Sequence, residues 1–267
     1  MGLEADVVIL DLEDAVARSE KQAARTAVIE AFAQPRTGAL YVRVNAVDTP
    51  FFADDLDAVV GPGLDGIVLP MVDSAAGLVD AESRIADLEQ ARGLEAGALD
   101  LIAIIETALG HENVREVARA GTRVRRLSFG AADYTLDMGM TWTPEESELN
   151  HVRQDIVLAS RAAGLEPPVD TVYVHIRDTE GLVRSTNISR GLGFQGKLCI
   201  HPDQVAPVND VFTPTDQEVE RAEQIITAFD EAEAAGSAAI SVNGQFVDYP
   251  VVEQARRVLA LMQRVRG

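Results

Sequence analysis

Carboxylates at the ends of apolar runs are the first chemistry this chain offers. Glu106 closes the run 101–106, and Asp133 follows the run 126–130. Magnesium takes one or two protein carboxylates and fills its other octahedral positions with water and substrate oxygens, so the pair suits one hard divalent cation. A structural reading stays open beside it, in which Glu106 caps the helix after it and Asp133 makes a turn after Gly130. Arg43 lies inside the apolar run 41–45. A guanidinium there must find a carboxylate or a ligand, and a salt bridge to Glu13 or Asp14 is its structural alternative. Asp11, Glu13 and Asp14 crowd three carboxylates into four residues, a costly cluster to bury without a cation or an arginine nearby. His201, before Pro202, suits a local hydrogen bond, and Cys199, between Leu198 and Ile200, reads as a buried core thiol. No paired His or Cys spacing suits zinc, and no nucleophile triad stands out.

These groups need elements that bring them together. Short apolar runs at 7–12, 41–45, 66–71, 101–106, 126–130, 171–175 and 197–201 alternate with helical stretches. Alternating βα units require a mostly parallel sheet covered on both faces. Capping-box patterns mark helix starts at Ser19 with Gln22, Thr143 with Glu146, and Thr215 with Glu218. A polar residue closes nearly every run: Asp11 to Asp14, Arg43 and Asn45, Glu106, Asp133, Asp178, then Lys197 with His201. A (β/α)8 TIM-type barrel gathers its strand ends at one mouth, whereas a doubly wound sheet scatters them. No G-x-G-x-x-G turn or Walker A pattern is present, which disfavours the nucleotide folds built on those loops. The expected organisation is a barrel domain over 1–235 and a C-terminal extension over 236–267, with the alanine-rich stretch 231–239 between them.

Composition narrows the partners. The chain has 267 residues, 47% of them hydrophobic, and a formal net charge of −20. That length buries a sizeable core, while the charge excludes nucleic acid as an expected partner. No apolar run reaches the roughly 20 residues needed to span a bilayer, so a cytoplasmic protein is expected.

Several motifs, in order along the chain, resemble a known family. Asp11-Leu12-Glu13-Asp14-Ala15-Val16, Val42-Arg43-Val44-Asn45, Ile105-Glu106-Thr107, Phe129-Gly130-Ala131-Ala132-Asp133-Tyr134 and Gly193-Phe194-Gln195-Gly196-Lys197-Leu198-Cys199-Ile200-His201-Pro202 are similar to the citrate lyase beta-subunit-like proteins. That group includes malyl-CoA and citramalyl-CoA lyases, within the HpcH/HpaI aldolase superfamily. The resemblance implies a magnesium-dependent carbon–carbon lyase acting on a β-hydroxyacyl-CoA and yielding acetyl-CoA and an α-keto acid. An aldolase on free hydroxy acids, or a citrate lyase beta subunit active only inside a complex, is the alternative. Glu106 and Asp133 would ligate magnesium, Glu13 and Asp14 would hold metal-bound waters, and Arg43 would contact the enolate oxygen. Asn243-Gly244-Gln245-Phe246-Val247-Asp248 looks like the family's C-terminal motif, whose Asp acts as acid/base in a neighbouring subunit's site. Asp248 is the match, and a homo-oligomer, a trimer by resemblance, is implied. Two departures stand out. Family members often read Gly-Ala-Glu-Asp where this chain has Gly130-Ala131-Ala132-Asp133, and they usually carry a strand and Pro-Gly loop ahead of the segment matching Ala5. The expected barrel therefore lacks its usual first strand and helix.

Overall fold

A computed structural model describes residues 4–266. The chain divides into two compact units, one ending at Val208 and one beginning at Asn209. The first carries β1 (Val7–Asp11), α1 (Lys21–Ala31), β2 (Ala39–Arg43), α2 (Phe52–Val59), β3 (Gly66–Leu69), α3 (Ala75–Ala91), β4 (Asp100–Ile105), α4 (Ala108–Glu112), α5 (Val114–Ala118), β5 (Val124–Phe129), α6 (Ala131–Asp137), α7 (Asn150–Ala162), β6 (Val169–Asp170), α8 (Thr179–Leu192) and β7 (Gly196–Lys197). All seven strands are parallel, and spatial order follows sequence order from β1 to β7. Unbroken sequential order is that of a barrel wall; a doubly wound sheet reverses direction midway. No pairing joins β1 to β7 among the described residues. Among the described residues the wall is thus an open, seven-stranded part of a barrel.

Strand parity sorts the side chains into two cores. Val42, Ile67, Leu101, Ala103, Ile105, Leu127 and Phe129 face the helices in one large cluster. Tyr41, Val68, Ile102 and Ile104 form a second cluster inside the wall. Val7 and Ile9, on the unpaired edge of β1, are only half-buried members of that inner group. The N-terminal end of the interior is closed by polar contacts, with Tyr41 Oη donating to Asp100 Oδ2 at 2.6 Å and Arg126 3.1 Å from the same oxygen. Successive strand side chains alternate faces, so Asp11, Arg43 and Glu106 share the parity of Ile9, Tyr41 and Ile104. Alternation alone directs these three polar groups inward at the other end.

The sixth strand departs from expectation. It pairs at 169–170 rather than 171–175; residues 171–175 run on without ladder pairing into a turn, with Ile176 N donating to Val174 O and Asp178 N to His175 O. Asp170 itself is fully buried, 2.8 Å from Lys197 Nζ and 2.9 Å from Arg153 Nε. Two of the three expected capping boxes are absent: Ser19 makes no cap bond, and Thr143 is bonded by Glu148, not Glu146. Thr215 and Glu218 do form one. Cys199, expected in the core, is exposed.

Beyond α9 (Val205–Phe212), the second unit holds α10 (Asp216–Ala234), a hairpin of β8 (Ile240–Val242) and β9 (Gln245–Val247), and α11 (Tyr249–Arg266). Ala222, Ile225 and Phe229 of α10 pack with Val247, Val252 and Ala255 in a core of their own. That shared core puts α10 with the extension, moving the division from the expected 235/236 to 208/209. Among the described residues no helix is long and apolar enough to cross a membrane.

Candidate active site

The inward-facing strand ends of the first unit converge on one charged cluster. Asp11 and Arg43 are register partners on β1 and β2. Arg43 Nε donates to Asp11 Oδ1 at 2.8 Å and Nη2 to Oδ2 at 2.6 Å, the two-pronged geometry that suits a planar guanidinium. Arg43 Nη1 lies 2.7 Å from Glu13 Oε2. That contact lacks hydrogen-bond alignment, so Glu13 Oε2 is a buried carboxylate oxygen without a donor. The salt bridge that competed with a ligand role for Arg43 therefore exists, with Asp11 as its chief partner.

Glu106 ends β4, 3% exposed. It does not cap the following helix: Thr107 does, its hydroxyl accepting from Gly110 N. Glu106 Oε1 instead accepts from Met71 N at 2.7 Å. Met71 holds φ at 53°, a left-handed conformation that costs an L-residue of order 1 kcal/mol or more and that turns its amide toward the carboxylate. A Cβ at Gly130 would collide with Glu106 Oε2. Gly130 has φ −114° and needs no glycine for its backbone, so it is the Glu106 side chain, its Cβ at 2.7 Å as well as its carboxylate, that excludes a side chain. We expect Gly130→Ala to displace Glu106 and to weaken divalent-cation binding by about 10–100-fold, the range seen when a ligand loses its support. Calorimetric cation titration checks this, and unchanged affinity would show that Glu106 tolerates displacement.

Asp133 lies in the first turn of α6, just past Gly130. The charges act on one another. Burial, followed by the negative charges of Glu13 and Asp133, pushes Glu106 up to about 8 against the pull of Met71 N and Arg43. Burial pushes Glu13 to about 7, with Asp14, Asp11 and Asp133 adding to the rise and Arg43 opposing it. Asp133 is raised by burial and by Asp14. Asp11 alone is lowered: burial would raise it, but the Arg43 fork and the amides of Glu13 and Ala15 outweigh that. Four carboxyls, Asp11, Glu13, Glu106 and Asp133, thus share one guanidinium. Raised carboxyls, an orphaned carboxylate oxygen and an all-oxygen donor set fit a hard divalent cation such as magnesium.

Other strand-end groups serve the scaffold. Asp178 caps α8, and His201 Nδ1 accepts from Asp203 N at 3.2 Å. Asn45 bonds Leu12 O and Asp55. Lys197 and Asp170 join Arg153 and Glu146 in a buried ion network. Asp248, in the second unit, caps α11, its Oδ1 accepting from Val251 N at 3.4 Å and its carbonyl from Val252 N. The sequence reading placed Asp11 in the acidic cluster but missed its fork with Arg43. Aligning the runs 7–12 and 41–45 by their charged ends would have paired the two.

A family model described as HpcH/HpaI aldolase/citrate lyase matches residues 1–202. The chain is 43% identical over 259 residues to the citrate lyase subunit beta of Leuconostoc mesenteroides subsp. cremoris, covering 96% of this chain and 85% of that protein. It is 36% identical over 277 residues to an L-malyl-CoA/beta-methylmalyl-CoA lyase of Cereibacter sphaeroides, covering 96% and 86%. The crystal structure of CitE from Mycobacterium tuberculosis in complex with magnesium, acetoacetate and coenzyme A superposes with a TM-score of 0.79 at 31% identity, covering 97% of this chain and 90% of that one. Matching family model, close relatives and shared fold agree: the chain belongs to the HpcH/HpaI aldolase/citrate lyase family.

Proposed function

We propose that this protein is a magnesium-dependent carbon–carbon lyase that splits a β-hydroxyacyl-CoA, such as malyl-CoA or citramalyl-CoA, into acetyl-CoA and an α-keto acid. The observation that carries it is the partly buried, cation-deficient cluster of Glu13, Glu106 and Asp133 beside Arg43. Glu106 and Asp133 would hold the ion, and Glu13 and Asp14 would hold waters of its shell. Lewis-acid polarisation of the keto-acid carbonyl is the chemistry a bound magnesium supplies. Cleavage breaks the bond between the thioester's α-carbon and the hydroxyl-bearing carbon. The hydroxyl proton passes to water, the O–H pair becomes the carbonyl of the α-keto acid, and the pair of the broken carbon–carbon bond passes into the thioester enolate. Arg43, already oriented by Asp11, places fixed positive charge where the enolate oxygen becomes negative. Protonating the enolate carbon to give acetyl-CoA needs an acid, the role assigned to Asp248 of a neighbouring copy.

The 43% identity to a citrate lyase subunit beta supports a second reading, in which the chain performs the same cleavage on an acyl thioester held by a partner subunit. A panel of CoA thioesters with magnesium, followed by released acetyl-CoA and keto acid, tests the first reading. Turnover of none of them by the isolated chain would reject it and favour the second.

Asp248 as a shared residue requires a homo-oligomer, a trimer on the family resemblance, working in the cytoplasm. Equal mixing of inactive Glu106→Ala and Asp248→Ala proteins should restore activity after subunit exchange. Each site would take Glu106 from one copy and Asp248 from the next, so about a quarter of sites should regain both. Verified exchange without returning activity would remove Asp248 from the mechanism.

A further inference from the structure

The helical shell of the first unit brings together three groups that the carboxylate site does not use. His111 lies on α4, and His151 and Asp155 lie on α7. The two α7 residues are four apart, which puts them on one helical face. His111 Nε2 is 3.0 Å from Asp155 Oδ2, and His151 Nε2 is 3.7 Å from the same oxygen. One ligand atom from each of the three lies within 4.8 Å of the others. Behind them, Tyr134 Oη is 2.9 Å from His111 Nδ1, and Arg115 Nη2 donates to Asp155 Oδ1 at 2.9 Å.

We propose that His111, His151 and Asp155 form a zinc site on the outside of the barrel, separate from the carboxylate cluster. Zinc takes imidazole nitrogen at about 2.0–2.1 Å and carboxylate oxygen at about 2.0–2.2 Å in tetrahedral array, which sets its ligand atoms roughly 3.3 Å apart. Two of the distances are already within a few tenths of an ångström of that value. The third, between the two imidazoles, closes by rotation of His151, whose side chain is 82% exposed and meets the His111 ring edge-on at 5.6 Å between centroids. The outer contacts match what a metal-bound pair needs. With Nε2 on the metal, His111 Nδ1–H donates to the Tyr134 hydroxyl, fixing the tautomer and the ring plane. Asp155 keeps one oxygen for the metal while Arg115 holds the other. Two imidazoles exclude magnesium, which favours all-oxygen shells, and select a borderline ion such as zinc. Three protein ligands leave a fourth position for water. The bound ion would tie α4, which follows Glu106, to α7, otherwise held there by the His111–Asp155 hydrogen bond.

The test is calorimetric titration of tag-free, full-length protein with Zn2+ in saturating Mg2+, so that the carboxylate cluster is already filled. One equivalent of zinc should bind. His151→Ala should weaken it by more than about 100-fold, beyond the about 10–100-fold cost of losing an outer-shell partner, and Tyr134→Phe should fall within that lower range. His151 is exposed, so its replacement leaves the fold intact, and matching melting curves without zinc will verify this. Co2+ as a substitute should give the intense visible bands of four-coordination in the parent and not in His151→Ala. Glu106→Gln should retain zinc binding. No zinc uptake in saturating Mg2+, parent-like uptake by His151→Ala, or loss of uptake in Glu106→Gln would each overturn the site.

Discussion

Glu106→Gln should lower turnover about 10³-fold or more while leaving the metal-free protein folded. The amide matches the carboxylate in shape and still offers an oxygen to Met71 N, which now holds Oε1 at 2.7 Å. What disappears is a negative ligand. A polarising cation contributes several kcal/mol to a transition state of this kind, and each 1.36 kcal/mol is tenfold in rate. The same substitution should change how stability depends on pH. Glu106 titrates near 8 and Glu13 near 7, both above the ordinary 4.5. A carboxyl raised by folding contributes stability that is complete below its unfolded value and is lost as pH climbs through its folded value. The metal-free parent should therefore lose stability between about pH 4.5 and 8 from these groups. Glu106→Gln should flatten the upper part of that slope and keep the part due to Glu13. Magnesium affinity in the parent should rise with pH over the same range, because the ion displaces protons from its ligands. Melting curves across pH, with and without magnesium, read all of this. A parent whose metal-free stability is level from pH 5 to 8 would mean that the cluster is not under charge strain.

Much of this arrangement was legible in the residue order. β-branched runs separated by helical stretches revealed seven parallel strands, and the polar residues closing those runs named Arg43, Glu106 and Asp133. Their convergence follows from parity, since Arg43 and Glu106 continue the inward series of Tyr41 and Ile104. The sixth strand was misplaced for a physical reason. Apolar residues at 171–175 suggest a strand, but the ladder ends at Asp170, where Arg153 and Lys197 draw the carboxylate into a buried network. Such long-range ion pairs leave no local spacing to read. Glu146 illustrates the same limit: it looks like a capping residue, yet it sits at φ 51° and spends its carboxylate on Arg153 and Ser185. His111 and Asp155 are 44 residues apart, so no search for paired zinc spacing finds them. The division at 208/209 was hidden because the apolar stripe of α10 fits a barrel helix as well as it fits a partner in a separate core.

Replacing Arg43 with Lys separates charge from geometry, and turnover should fall by about 10²–10³-fold, the cost of removing one preorganised donor from a developing oxyanion. In the parent, the guanidinium spends Nε and Nη2 on Asp11 and brings Nη1 to within 2.7 Å of Glu13. An ammonium is a point charge on a flexible stem; it cannot span both Asp11 oxygens and also reach toward Glu13. Leaving a buried partner unpaired normally costs a few kcal/mol, but this cluster has a way to avoid most of that. Glu13 already sits near 7, so in the variant it protonates instead of remaining charged and alone. Asp11 keeps the amides of Glu13 and Ala15 at 2.9 and 3.0 Å. Stability should therefore fall by only about 1–2 kcal/mol near neutral pH, within the ordinary range for single substitutions, while turnover collapses. Paired measurements of kcat and of chemical denaturation decide the matter. A variant that loses several kcal/mol of stability yet keeps turnover within a few-fold of the parent would make Arg43 a structural brace for Asp11 and Glu13, and would leave the enolate oxygen to be stabilised by another group.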